Sequence, residues 1–235
     1  MKKHSSKNPS DVVVEAIDLW KSFDGGRIEV IRGANLVVHR GEIVALWGRS
    51  GSGKSTLLHL LSGLDVPDRG TVSVLGLDPR LESARLILRR EHIGFIFQLH
   101  NLIPDLTLEE NLAIPAMAAR TPKSQVRDRI HYLVSEVGLG HRLKHRIRDL
   151  SGGERQRTAI CRALMNNPKV VFADEPTGSL DEETGADVFD LLCRLVALEN
   201  VSVVVATHER RFMEHCHRVI RVINGQAMSD LVLLL

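Results

Sequence analysis

Short apolar runs of strand length alternate along this chain with segments in which apolar residues recur every three or four positions. That rhythm predicts an α/β chain. A first strand opens at Val12-Val13-Val14, and Phe23 precedes a turn at Asp24-Gly25-Gly26. A second strand covers about 30–38, alternating through Leu36 and Val38, and Arg40-Gly41 turns the chain into the apolar run Glu42-Ile43-Val44-Ala45-Leu46-Trp47. Residues 11–45 therefore read as an antiparallel β piece feeding an α/β core. The leucines of 56–63 and the glycine that ends them predict a helix. Asp68-Arg69-Gly70 reads as a turn, 71–75 as a strand, 80–90 as a charged surface helix and 93–98 as a buried strand ending in glutamine.

From about 99 to 158 the strand signals vanish, which predicts an inserted α-helical subdomain. Thr107-Leu108-Glu109-Glu110 is a capping box, and Val126, Ile130, Leu133, Val134 and Val137 share one helical face. Strand character returns at 170–173; Glu182–Leu198 reads as a helix and 201–206 as a β-branched strand. Asn224-Gly225, between 218–223 and Gln226, signals a hairpin. Residues 1–10 read as a disordered lead and 11–235 as a single domain. The apolar tail Leu231-Val232-Leu233-Leu234-Leu235 is expected to pack on that domain or fray.

Composition narrows the class. The chain has 235 residues, enough for a sizeable core, with 43% hydrophobic and 26% charged residues, ordinary for a globular protein. A net charge of +2 makes no electrostatic case for nucleic acid or an anionic membrane surface. Cys161, Cys193 and Cys216 lack metal-ligand spacing and are expected as reduced thiols. Met1-Lys2-Lys3-His4-Ser5-Ser6 is not followed by the apolar stretch of a secretory signal. No run approaches the ~18–20 apolar residues of a spanning helix, so direct membrane insertion is not expected.

Three motifs carry chemistry. Gly48-Arg49-Ser50-Gly51-Ser52-Gly53-Lys54-Ser55, followed by Thr56, reads Gly-x4-Gly-Lys-Ser between a strand and a helix start, the P-loop pattern. Free N–H groups at a helix start attract anions, and glycines let the backbone wrap phosphate oxygens. Lys54 adds a point charge for the β- and γ-phosphates, and Ser55 a hydroxyl for Mg2+. The strand at 170–173 ends in Asp174-Glu175, at the sheet edge where open α/β folds bind ligands. There Asp174 suits support of Mg2+ and Glu175 suits a general base on water, although such a pair alone equally reads as a surface helix cap. Leu150-Ser151-Gly152-Gly153-Glu154 opens a helix over 155–166. Ser151, Gly152 and Gly153 make either a second phosphate cradle, serving the nucleotide of another chain, or a plain glycine-rich N-cap.

With these motifs in this order, the chain resembles the ATP-binding subunits of ABC transporters over about residues 11–228. The resemblance implies a P-loop NTPase core with a mainly parallel sheet, an N-terminal antiparallel β subdomain and an inserted α-helical subdomain. ATP and Mg2+ are the implied cofactors. By the same resemblance, Phe97-Gln98 matches the Q-loop, with Gln98 joining Ser55 and Asp174 on Mg2+. Ser179-Leu180-Asp181 matches the D-loop, and Thr207-His208 the switch histidine that contacts the γ-phosphate. Phe23 matches the aromatic that stacks on adenine. Lys54, Gln98, Glu175 and His208 are implied to act in cis, with Ser151 and Gly153 of a second copy closing the site in a head-to-tail homodimer. A separate integral membrane permease is implied, with this chain cytoplasmic and peripheral on the inner face of the cell membrane.

Residues 51–65, 93–98 and 174–181 look like the lipoprotein-releasing and macrolide-exporter (LolD/MacB-like) subfamily, whereas 77–90 matches less well. Export or extraction of a lipid-type substrate is the implied task. An FtsE-like signalling complex and a soluble non-transport ABC ATPase stay open; a P-loop small-molecule kinase would have no use for 150–154 or His208. Four of the eight residues in Leu99-His100-Asn101-Leu102-Ile103-Pro104-Asp105-Leu106 are large and apolar. Leu102 and Leu106 are expected either to line a groove for a short helix of the membrane subunit or to pack under the helical insert. His39, His59, His131, His141, His145, His215 and His217 are expected on the surface without a partner.

Overall fold

In the computed structural model, which describes residues 11–229, nine strands form two sheets. The lead at 1–10 and the tail at 231–235 lie outside the described residues. The smaller sheet is antiparallel, in the order β2 (Ile28–His39), β1 (Val12–Phe23), β4 (Arg69–Val74). The larger has the order β5-β6-β7-β3-β8-β9: Ile93–Ile96, Val170–Asp174, Ser202–Thr207, Ile43–Trp47, Arg218–Ile223 and Gln226–Ser229. All its neighbours are parallel except the β8–β9 hairpin. That hairpin turns on Asn224 (φ 49°) and Gly225 (φ 79°), the two positive values of a type I′ turn.

The unbroken apolar runs of β3, β6 and β7 reflect burial on both faces. Successive side chains point to opposite sides. Val44, Leu46, Phe172, Val204 and Ala206 pack toward the small sheet and α1 (Lys54–Ser62). Ala45, Val171, Ala173, Val203 and Val205 pack toward α3 (Leu108–Ala118), α4 (Lys123–Glu136), α5 (Gly152–Leu164) and α6 (Glu182–Leu198). Register then fixes the working edge. Trp47 lies level with Thr207, and Asp174 with Ala206, so three parallel strands release their chains at one end of the sheet.

Two local expectations change. Gly70 belongs to β4 rather than to a turn. A Cβ on Gly70 would lie 2.2 Å from the Asp18 carbonyl oxygen; β1 bulges there, with Asp18 at φ 49°, and glycine permits the close approach. The helix at 80–90 is α2 (Glu82–Ile87) followed by a π turn, Leu88–His92. All three cysteines are free, and burial pushes the Cys161 thiol up to about 12, leaving it un-ionised and inert at neutral pH.

Candidate functional site

The loop from β3 to α1 is shaped by what glycine allows. A Cβ on Gly48 would stand 2.4 Å from the Val222 carbonyl oxygen and 2.7 Å from Ser52 Oγ. Gly53 has φ 102°, and its Cβ would meet Ile31 Cδ1 and the Val30 carbonyl at 3.0 Å. The loop is thus pressed between β2 and the β8–β9 hairpin, whose Gly225 N–H donates to the Ser52 carbonyl at 3.2 Å. Behind it, α1 starts at Lys54 with no side-chain cap, so its first N–H groups face the loop. Ser52 Oγ is buried, makes no hydrogen bond among the described residues, and packs toward Gly48.

Lys54 is buried, 5% exposed, and its ammonium lies 3.3 Å from the Arg49 carbonyl and 3.5 Å from Glu175 Oε1. A buried cation needs such partners. Ser55 Oγ donates to Asp174 Oδ1 at 2.8 Å, joining the helix start to the end of β6. Glu175 leaves the strand at φ 44°, a left-handed conformation that is unusual for a non-glycine residue and that turns its carboxylate back over the cleft. His208 Nδ1 lies 2.8 Å from Glu175 Oε2. The resulting cleft of about 730 Å³ is lined by Gly48, Arg49, Ser50, Gly51, Gly53, Lys54, Ser55, Thr56, Gln98, Glu175 and His208, with Val30 and Trp47 completing the wall. That volume suits a nucleotide-sized ligand.

Fit to a divalent cation follows from the donors. Asp174, Ser55 and Gln98 offer hard oxygens. Among the described residues no group of three or more His, Cys, Asp or Glu could hold a metal on its own. Such a sparse oxygen set matches Mg2+, which takes its other ligands from phosphate and water.

Two sets of candidates lie apart from this cleft. Ser151, Gly152, Gly153 and Asp181 line a second hollow of about 380 Å³, together with Ser179, Leu180 and Arg157. There Ser151 caps α5: its hydroxyl accepts from Glu154 N–H at 3.3 Å, and Glu154 accepts Ser151 N–H at 2.8 Å. The Ser-x-x-Glu spacing of a capping box was present in the sequence alongside the glycine signal. Ser151 N–H foremost, then the Arg142 guanidinium, holds the Glu154 carboxyl below its ordinary range. Asp181 caps α6 in turn, accepting from Thr184 N–H at 2.9 Å. Phe23 ends β1, 43% exposed, with Lys21 Nζ 5.4 Å above its ring, and does not line the phosphate cleft.

Several neighbours went unread in the sequence. His59 Nε2 approaches Asp174 Oδ2 at 3.6 Å; its place four residues after Ser55, on one face of α1, was the available signal. His215 lies 3.5 Å from Asp190, and His217 Nδ1 accepts from Ile43 N–H at 3.0 Å, so these three histidines do have partners. Trp47 Nε1 donates to the His208 carbonyl at 3.3 Å, and Arg221 stacks on its ring. Leu102 packs against the large core and Leu106 is half-buried. Buried Asn111 holds this loop through both Ile103 backbone groups, so for Leu102 the second of the two expectations, packing against the helical insert, is the one seen. A hollow of about 300 Å³ opens nearby instead, walled by Leu64, Phe95, Phe97 and Arg162. Leu99, 76% exposed, follows Gln98 in the same loop.

A glycine-rich strand-to-helix turn, a lysine inside it and paired carboxylates at the neighbouring strand end define a nucleotide hydrolase of the P-loop class. Residues 31–178 match the family described as ABC transporter. The lipoprotein-releasing system ATP-binding protein LolD of Geobacter metallireducens is 43% identical over 222 residues, covering 93% of this chain and 99% of that protein. An uncharacterized ABC transporter ATP-binding protein, YbbA of Escherichia coli K12, is 43% identical over 226 residues, covering 94% and 99%. A dimeric ATP-binding cassette in a post-hydrolysis state, bound to ADP and Pi, superposes with a TM-score of 0.84 at 34% identity, covering 94% and 99%. The chain belongs to the ABC transporter family. It has that family's ATPase fold and is an ATP-hydrolysing, nucleotide-binding transporter subunit of the LolD/MacB type. Among the described residues no helix is long and apolar enough to cross a membrane.

Proposed function

We propose that this chain binds Mg2+-ATP in the 48–56 cleft and hydrolyses it as half of a head-to-tail homodimer. That cycle drives a separate membrane permease in export or lipoprotein-type extraction. The observation that supports it most is the convergence of Lys54, Ser55, Glu175 and His208 on one glycine-built cleft, with Asp174 bonded behind Ser55. Lys54 and the free N–H groups of the loop bind the phosphates, and Phe23 stacks on adenine. Glu175 takes a proton from the attacking water, with His208 and Gln98 orienting that water and the γ-phosphate. Ser55, Asp174 and Gln98 hold Mg2+, which, when bound, neutralises charge on the phosphate oxygens. The separation of the Ser151–Gly153 hollow from the cleft favours its use in trans, with Asp181 beside it at the same interface. The domain is taken as 11–235, with a helical insert at about 99–158.

The hollow beside Phe95 and Phe97 is where a short helix of the permease would dock, holding the chain at the inner face of the membrane. Arg162 supports coupling: its guanidinium donates to the His100 and Asn101 carbonyls, joining the loop after Gln98 to the helix that Ser151 caps. The names of its relatives favour lipoprotein release as the substrate class. Phosphate release by the purified chain tests the dimer. Specific activity should depend on Mg2+ and rise with protein concentration, because each site needs two chains. Specific activity constant across the range where the chain is monomeric would contradict it.

A further inference from the structure

Glu209 follows His208 at the end of β7, and no motif accounts for it. Its side chain is only 18% exposed, and both oxygens are engaged: Oε1 accepts the Thr177 hydroxyl at 2.7 Å and Oε2 accepts Arg211 Nε at 2.8 Å. Its N–H donates to Thr207 Oγ1 at 3.1 Å. Thr177 is buried, 2% exposed, so its hydroxyl has no water to turn to if this carboxylate leaves.

The two ends of the Thr177–Glu209 bond sit on different turns. Thr177 lies in the turn after β6, which Gly178 N–H closes onto the Glu175 carbonyl at 3.0 Å. Glu209 lies in the turn after β7, one residue from His208. These turns carry the two members of the 2.8 Å His208–Glu175 contact. The His208 side chain is 59% exposed, so its ring is held by the Glu175 contact and by the placement of its backbone rather than by packing. That backbone is held by Trp47 on one side and through Glu209 on the other. Arg211 carries the network further: Nη1 donates to the Glu182 carbonyl at 2.8 Å, in the first turn of α6 directly after Asp181. Gly185 leaves room for it, since a Cβ there would come within 3.3 Å of Arg211 Nη2.

We propose that Glu209 is a positioning residue for hydrolysis. By holding Thr177 and Arg211 it fixes the His208 turn against the Glu175 turn and ties both to the Asp181 segment. Its carboxylate is taken up by Thr177 and Arg211, and it does not line the phosphate cleft. The inference rests on the proposed roles of Glu175 and His208, so His208→Ala is the reference variant.

Steady-state ATPase kinetics of the full chain, with kcat and KM resolved, are the test. Glu209→Ala and Thr177→Val should each lower kcat on the order of tenfold with KM for ATP within about twofold, the signature of lost alignment rather than lost binding. Glu209→Gln keeps an acceptor for Thr177 and should recover much of the rate. The Glu209→Ala/Thr177→Val double variant should be no slower than the slower single, because both remove one bond. A folded Glu209→Ala with kcat within about twofold of wild type, beside an inactive His208→Ala, overturns the positioning role and leaves the catalytic assignment standing. Normal turnover in His208→Ala overturns the assignment itself. Should Glu209→Ala not fold, Thr177→Val decides alone, since it removes one hydroxyl at nearly constant volume; unchanged kcat there, or losses that multiply in the double variant, overturn the proposal.

Discussion

Ser151 separates a structural role from a functional one. In the single chain its hydroxyl caps α5 through a bond of 3.3 Å, and the reciprocal Glu154 bond is 2.8 Å. Ser151→Ala removes only the first. Loss of an N-cap side chain costs about 1 kcal/mol, and the long, exposed bond here places it in the lower half of the usual ~0.5–2 kcal/mol range. For a chain of this size that lowers Tm by about 1–4 °C. Ser151→Asp keeps an oxygen acceptor at the cap and puts a charge at the favourable end of the helix dipole, so it should melt within about 2 °C of wild type. The same charge stands where the proposed dimer brings the phosphates of the second nucleotide. The Asp variant should therefore lose ATP-dependent dimerisation and turnover, while the less stable Ala variant keeps most of both. Calorimetry gives the stability order, and sedimentation velocity with Mg2+-ATP gives the dimer. An Asp variant that dimerises and turns over normally refutes the phosphate cradle; one that melts well below Ser151→Ala refutes the cap. The cap also has a pH signature. Because the Glu154 carboxyl is held down in the folded chain, its stabilisation is complete above the unfolded carboxylate range and fades as pH falls through the lowered folded value. Glu154→Gln should thus melt below wild type at pH 7, with the gap closing in acid.

Gly48→Ala drives a methyl against the Val222 carbonyl, a backbone atom of β8 that cannot step aside, and should lose roughly 1–3 kcal/mol along with ATP binding, measured by melting and nucleotide titration. Phe23→Ala should weaken ATP binding about tenfold or more, as removal of a stacking face does, while Phe23→Tyr stays near wild type; isothermal titration checks both. Leu99→Asp, at an exposed position, should leave ATPase activity of the isolated chain intact and lose co-purification with the membrane subunit.

The parts of this fold that could be read in the sequence are those where burial dictates residue type over several positions. β3, β6 and β7 are covered on both faces, and their short runs rich in β-branched and other apolar residues fit that burial. The P-loop and the Asp174-Glu175 pair were legible because their spacing is local and sits between such a strand and a helix. What stayed hidden depends on contacts distant in the chain. Gly70 looks like a turn glycine until β1 is laid beside it with its bulge at Asp18. For Leu102 the sequence leaves a surface groove and packing under the helical insert both open, and the choice falls to the second because Asn111 binds its loop. Thr177 and Glu209 are 32 residues apart, and no local pattern announces a bond between turns on neighbouring strands. The Ser151 cap is the different case, a local signal overshadowed by the glycines that follow it.

The central claim is that Glu175 is the base in a site completed by a second chain. Glu175→Gln keeps the shape of the side chain and removes its basicity, so turnover should fall by roughly 10²–10⁴. Affinity for ATP should remain, since the glycine loop is unchanged and Gln keeps an oxygen to face the Lys54 ammonium. With hydrolysis blocked, Mg2+-ATP should hold two copies together as a stable dimer on size-exclusion chromatography. A folded Glu175→Gln that turns over ATP at near the wild-type rate, or binds it without ever dimerising, would contradict the account.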